Sequence, residues 1–272
     1  PRKAAGTLRR AAGQPAHRPL CHSFLVTFPP EGERAEAFSP REVMRNLHAF
    51  LVSWGSSPTP RRNLNMNPVL SRSLEDRLAD LGGISAARVC SEPPPGSADI
   101  EDLIRLRESE GRIYEWVDRT LVEKAMGWQE SLLAGVLLQW LNNFLDESPL
   151  GVATAPDGLT RLFEDTVRGP DVAFVSWERL PDGRIPDAAI PNLVPNFVIE
   201  VISVGNTRGE YFHAGVQRAW FGDPRGRTVA AFTSADDFAV YDEESTVGGG
   251  DVLPGWIVDL KTLFAKLDQR AP

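Results

Sequence analysis

Lysine is scarce in this chain: Lys3, Lys124, Lys261 and Lys266 are the four in 272 residues, against 37 Asp and Glu. Cysteine is scarcer, with Cys21 and Cys90 far apart and no CxxC. That excludes a disulfide framework and a thiolate zinc site, and a reduced, cytoplasmic setting is the expectation. The four histidines, His17, His22, His48 and His213, are scattered without zinc-ligand spacing. No apolar run approaches the roughly 18 residues a membrane helix needs. The basic start, "PRKAAGTLRRAAGQ", is followed by too short and broken an apolar stretch for a signal peptide. There is no G-x-S-x-G, no P-loop and no G-x-G-x-x-G, which removes the common serine-hydrolase and nucleotide-cradling chemistries. Internal repeats are lacking too.

What is present is uneven in charge. Residues 1–75 hold 11 Lys and Arg against 5 Asp and Glu, and the remainder holds 18 against 32, about +6 and −14. An acidic body is a poor general partner for nucleic acid, whose phosphates take Lys and Arg. Residues 1–72 read as an irregular, Pro-interrupted basic extension, with helical spacing only in "REVMRNLHAFLVSW". A sharper reading makes it an arm that touches DNA.

Residues 73–272 read as one mixed α/β domain. "IEDLIRLRESE" has Ile100, Leu103 and Ile104 on one side, with Ser97 or Asp99 as its cap. "RIYEWVD" and "TLVEKAM" suggest a hairpin around Asp118-Arg119. The clearest helix is "GWQESLLAGVLLQWLNNFLDE", where Leu132, Leu133, Val136, Leu137, Trp140, Leu141 and Phe144 form one broad apolar stripe. Strands follow in "GVATAP", "LTRLFE", "DVAFVSW" and "NFVIEVIS", then a hairpin of "QRAWFG" and "TVAAFTS" across "DPRGR". A last strand and a helix capped by Asp259 close the chain. Trp128, Trp140, Trp177, Trp220 and Trp256 sit in apolar patterns and are expected in the core.

The strand "NFVIEVIS" raises the chemical question. Side chains alternate along a strand, so Val198, Glu200 and Ile202 share a face and Phe197, Ile199 and Val201 share the other. A carboxylate inside the most apolar strand is costly to bury unless paired. Its partner is an Arg or a metal ion. Asp171 opens the strand "DVAFVSW" after Pro170. If the two strands are neighbours, both acids reach one point, and two carboxylates with waters suit Mg²⁺. The plainer alternatives are a turn-capping Asp171 and a Glu200 paired to Arg179, Arg184 or Arg208.

"PDVAFVS", "VPNFVIEVISVGNT", "YFHAGVQRAWFGDPRGRTVAAF" and "VLPGWIVDL", in that order, resemble the bacterial restriction-endonuclease-type family called Uma-two, within the PD-(D/E)XK nuclease-like superfamily. The likeness spans about residues 78 to 268. It implies a restriction-endonuclease-like core, a central mixed β-sheet flanked by helices. It further implies Mg²⁺- or Mn²⁺-dependent DNA cleavage, with Asp171 and Glu200 as metal ligands and a homodimer as one working form. The family's lysine is expected from a helix ahead of "YF-x-AGV", but "VISVGNTRGEYFHAGV" leaves no room for it, and Ile202 stands two residues after Glu200. None of the four lysines is near in sequence. Arg208 is the nearest cation, able to stabilise a phosphate's charge but not to act as a base. The expectation is therefore an endonuclease weakened or inactivated by loss of its lysine. The alternatives are a non-catalytic DNA- or protein-binding module and a structural protein with Glu200 in an internal salt bridge. Two further acids complete the candidates. Glu130 opens the long helix, where it either leans toward the metal or favours the helix dipole. Glu115 reads as a solvated strand residue.

Overall fold

The computed structural model describes residue 78 and residues 84–201 and 208–270, all within a compact unit spanning Arg34–Pro272. The extension 1–72 and its helical stretch lie outside the described residues.

The chain builds α1 (Ile100–Glu110), β1 (Tyr114–Val117), β2 (Thr120–Glu123), α2 (Trp128–Glu147), β3 (Gly151–Thr154), β4 (Thr160–Phe163), β5 (Thr166–Arg168), β6 (Val172–Ser176) and β7 (Phe197–Val201). It continues with α3 (Arg208–Ala214), β8 (Arg218–Asp223), β9 (Thr228–Phe232), β10 (Phe238–Asp242), β11 (Thr246–Gly248), β12 (Ile257–Asp259) and α4 (Leu260–Phe264). Six strands form a sheet in the order β10-β9-β8-β7-β6-β3, and four form a second in the order β2-β1-β5-β4. In the larger sheet β7 and β8 pair in parallel and every other pair is antiparallel, so the sheet is mixed. Among the described residues no helix is long and apolar enough to cross a membrane.

Strand β7 is central and covered on both faces. Phe197, Ile199 and Val201 pack with Leu133, Leu137 and Leu141 of α2 and Leu260, Leu263 and Phe264 of α4. Val198 faces the other way, into a cluster with Tyr211 of α3, Leu162 of β4, and Ala219 and Phe232. The alternation read from the sequence therefore holds, and Glu200 falls on the Val198 side. Leu133, Leu137, Leu141 and Leu145 recur every four residues and are all buried, each contributing about 1.5–3 kcal/mol.

The ends of elements follow local chemistry. Asp99 caps α1 in a reciprocal capping box with Asp102. The α1 face differs from expectation: Leu103 and Leu106 are buried, whereas Ile100 and Ile104 are only partly so. The β1–β2 hairpin turns on Asp118 and Arg119, both in the left-handed region at φ 46° and 57°, the geometry of a two-residue primed turn. The expectation that all five tryptophans are core is corrected. Trp220 and Trp256 stack at 5.0 Å inside, but Trp128 is 89% exposed and Trp177 is partly exposed. Trp128 and the exposed Leu132 precede the buried stripe of α2, which begins at Leu133.

Between β5 of the smaller sheet and β6 of the larger one lie three residues, Gly169, Pro170 and Asp171. A side chain at position 169 would come within 2.5 Å of the Pro156 carbonyl, so only glycine fits that close passage.

Candidate active site

The antiparallel register of β6 and β7 pairs Val172 with Ile199, which brings the preceding Asp171 beside Glu200. Asp171 is buried, and its Oδ2 accepts a hydrogen bond of 2.7 Å from the Val201 backbone N–H. Glu200 is fixed from the opposite side by the Tyr211 hydroxyl, which donates to Oε1 at 2.6 Å. The free oxygens of the two acids converge on one atom. Lys124 Nζ lies 2.8 Å from Asp171 Oδ1 and 3.2 Å from Glu200 Oε2, so those oxygens are no farther apart than the sum of the two distances. The ammonium also donates to the Gly169 carbonyl.

Thus the fold brings Asp171 and Glu200 together, and it corrects the expectation that no lysine reaches them. The salt-bridge partner of Glu200 is Lys124, from the end of the β1–β2 hairpin. Arg179 instead donates to the carbonyls of Val194, Pro195 and Gly215. Arg208 opens α3, and its side chain lies outside the described residues. Glu130 folds back over Gly127, the residue that begins its own helix, in keeping with the dipole reading, and takes no part in the ion pairs of Asp171 and Glu200.

Glu115 is corrected outright: it is buried, not solvated. The β1–β5 pairing sets Trp116 opposite Val167, which makes Glu115 and Arg168 cross-strand neighbours. Arg168 Nη1 donates to Glu115 Oε2 at 2.7 Å, and the Gly169 N–H donates to Glu115 Oε1 at 3.1 Å. On its other side Arg168 reaches α3, with Nε and Nη2 at 2.9 and 2.6 Å from Glu210 Oε2. Lys124, Arg168, Glu210 and Tyr211 were invisible as site residues because strand pairing and the seat of α3, not linear spacing, bring them into the cluster. The one signal available was a strand pattern with a charged residue at an inward position, as in "YEWV" and "TVR".

Burial and charge set the protonation states. Burial pushes the Glu200 carboxyl up to about 7; Asp171 and Glu115 add to the rise, while Lys124 and the Tyr211 hydrogen bond oppose it. Burial disfavours the Lys124 ammonium, but Glu200, Glu115 and Asp171 outweigh burial and hold it charged beyond the usual lysine range. Burial likewise works against Glu115 ionising, and the Arg168 guanidinium overcomes it, leaving Glu115 below its ordinary value. Lys124 is therefore a cationic hydrogen-bond donor here and not a base.

Among the described residues, four carboxylates (Glu115, Asp171, Glu200, Glu210) share two cations (Lys124, Arg168). Fully ionised, the cluster carries two negative charges in excess. Among the described residues no three His, Cys, Asp or Glu side chains are grouped to hold a metal by themselves. The oxygen donors that face a common point are Asp171, Glu200 and the Gly169 carbonyl.

A solved structure from Anabaena variabilis ATCC 29413, described as "a putative nuclease belonging to DUF820", matches with a TM-score of 0.51 and 21% identity, over 58% of this chain and 92% of that one. At that identity the likeness is one of fold. No curated protein matches. Residues 100–261, more than half of the chain and the span that carries every residue of the acidic cluster, match the family model Uma2, "Putative restriction endonuclease", and the chain belongs to that family.

Proposed function

We propose that this protein hydrolyses phosphodiester bonds in DNA, with Asp171 and Glu200 as the acidic pair and Lys124 as the lysine of the site. The observation that carries the reading is the position of Lys124 Nζ, in contact with both acids. In this reading the lysine missing from the segment after β7 is supplied from the β1–β2 hairpin, and activity is kept.

Two carboxylates and a carbonyl are hard oxygen donors of the kind Mg²⁺ or Mn²⁺ accepts, and Mg²⁺ keeps several waters beside one or two protein carboxylates. The two excess negative charges of the cluster also suit a divalent ion. Asp171 and Glu200 would hold it, with the Lys124 ammonium giving way from its place between them. Such an ion supplies a polarised phosphate and a more acidic water. Lys124, displaced but still charged, donates to the phosphate oxygens as negative charge builds there. Tyr211 keeps the Glu200 carboxylate oriented, and Val201 N–H does the same for Asp171.

The same contact also favours a second reading, a non-catalytic member of the family in which Lys124 permanently neutralises the acids. A Mg²⁺- or Mn²⁺-dependent plasmid-nicking assay separates the two. We expect nicking by the natural protein, none by Asp171→Ala, and a loss of about 10²–10³-fold for Lys124→Ala, the usual cost of removing one transition-state donor. Equal cleavage by the natural protein and Asp171→Ala would mark a contaminant and overturn the nuclease reading. So would a natural protein that is folded, binds either ion and cuts nothing.

A further inference from the structure

Helix α3 has seven residues, too few to persist without tertiary contacts. Its apolar side rests on the sheet through Tyr211, which is fully buried, and through the partly buried Phe212 and Ala214. Two polar contacts add to that apolar seat. Glu210 is held by Arg168 at the end of β5, in the four-stranded sheet. Its neighbour Tyr211 is held by Glu200 on β7, in the six-stranded sheet. Successive helical residues point about 100° apart, so two such anchors on adjacent residues lock both the rotation and the height of α3.

We propose that Glu210 and Arg168 are positioning residues that act through Tyr211: their ion pair sets the hydroxyl against Glu200 Oε1, which leaves Oε2 as the oxygen aimed at Lys124. This rests on the nuclease reading for its consequence, though not for its geometry. Charge balance does not require the pair, because Glu115 already supplies Arg168 with a buried carboxylate. Glu210 is the more exposed partner, with 30% of its side chain accessible against 5% for Arg168. Its presence adds negative charge to a cluster that already has an excess. A contact that is surplus for neutrality but adjacent to Tyr211 is best accounted for by placement.

Tyr114, Tyr211 and Tyr241 are the only tyrosines in the sequence, so tyrosine labelled with ¹³C at Cζ gives three resonances, and Tyr211→Phe assigns the relevant one. In metal-free protein, Glu210→Ala is expected to move the Tyr211 resonance toward that of a water-exposed tyrosine, leaving Tyr114 and Tyr241 in place. Glu210→Gln, which can still accept from Arg168, should leave all three. In the nicking assay Glu210→Ala should lower kcat about 10-fold with KM unchanged. Glu210→Asp keeps the charge on a shorter arm and should fall between. The proposal is overturned if Glu210→Ala is folded and its Tyr211 resonance stays put, or if all three resonances shift together, the sign of general loosening. If the natural protein has no phosphodiesterase activity while the resonance moves as expected, the nuclease reading fails and the positioning role stands.

Discussion

Lys124 is the residue on which the site turns, since its ammonium lies between the buried Asp171 and the mostly buried Glu200. Removing one partner from a buried ion cluster typically costs about 3–5 kcal/mol. Lys124→Met should lose stability of that order at pH 8, measured by urea unfolding, and regain part of it by pH 6 as Glu200 takes up a proton. In the natural protein the sign is fixed by the raised Glu200 value. Its carboxyl titrates near 4.5 unfolded and about 7 folded, so the folded state holds the extra proton between those values. Stability contributed by Glu200 is present below pH 4.5 and falls as pH rises toward 7. Glu200→Gln should abolish that slope, as read from unfolding midpoints across the range. Nicking by the natural protein should rise through pH 7, as Glu200 becomes free to ionise. A single carboxylate among Val and Ile thus announced itself in the sequence, and so did Asp171 after its proline. Lys124 did not, because what brings it in is the pairing of β1 with β5, a contact between segments some fifty residues apart.

Among the elements, the β1–β2 hairpin carries Lys124 and turns on two non-glycine residues with positive φ. A side chain in the left-handed region costs about 1–2 kcal/mol, so Arg119→Gly should raise the melting temperature by several degrees. The exposed hydrogen bond from Arg119 Nη2 to the Ser97 carbonyl, 3.3 Å long, is a small loss beside that. The hairpin was legible from its two apolar runs and a two-residue spacer. The long helix was legible from its four-residue repeat. Strand β5, three residues long, gave no periodic signal and was missed, although it holds Arg168. The exposed Trp128 was missed for a related reason: composition marks an aromatic residue as core, while its place at the first turn of α2, ahead of the buried stripe, puts it in solvent.

Across the whole molecule the acidic cluster is where the two larger sheets meet. Glu115 and Arg168 come from the four-stranded sheet, Lys124 from the residue that follows its strand β2, and Glu200 from the six-stranded one, with Asp171 on the crossing between them. A cation bound there stabilises the folded chain by mass action, about 2.7 kcal/mol at a hundred times Kd. Mg²⁺ or Mn²⁺ should therefore raise the unfolding temperature of the natural protein and leave that of Asp171→Asn unchanged. That variant can still accept from the Val201 N–H, so the comparison isolates charge from backbone support. The mixed α/β class and the central strand were readable because burial on both faces writes itself into composition. The joining of two sheets at one charged point was not, since nothing in a linear pattern records which strand ends become neighbours.

The adjacency of Glu210 and Tyr211 limits where this fold can grow. A graft that restored a lysine-bearing turn between those two would break the tether at the peptide bond where its halves join, sending one anchor away from the other. Extra length should be accepted ahead of Arg208 and refused after Glu210, so paired insertions at the two places, compared for soluble yield and for the Tyr211 signal, would map the boundary between what evolution can lengthen and what it must keep.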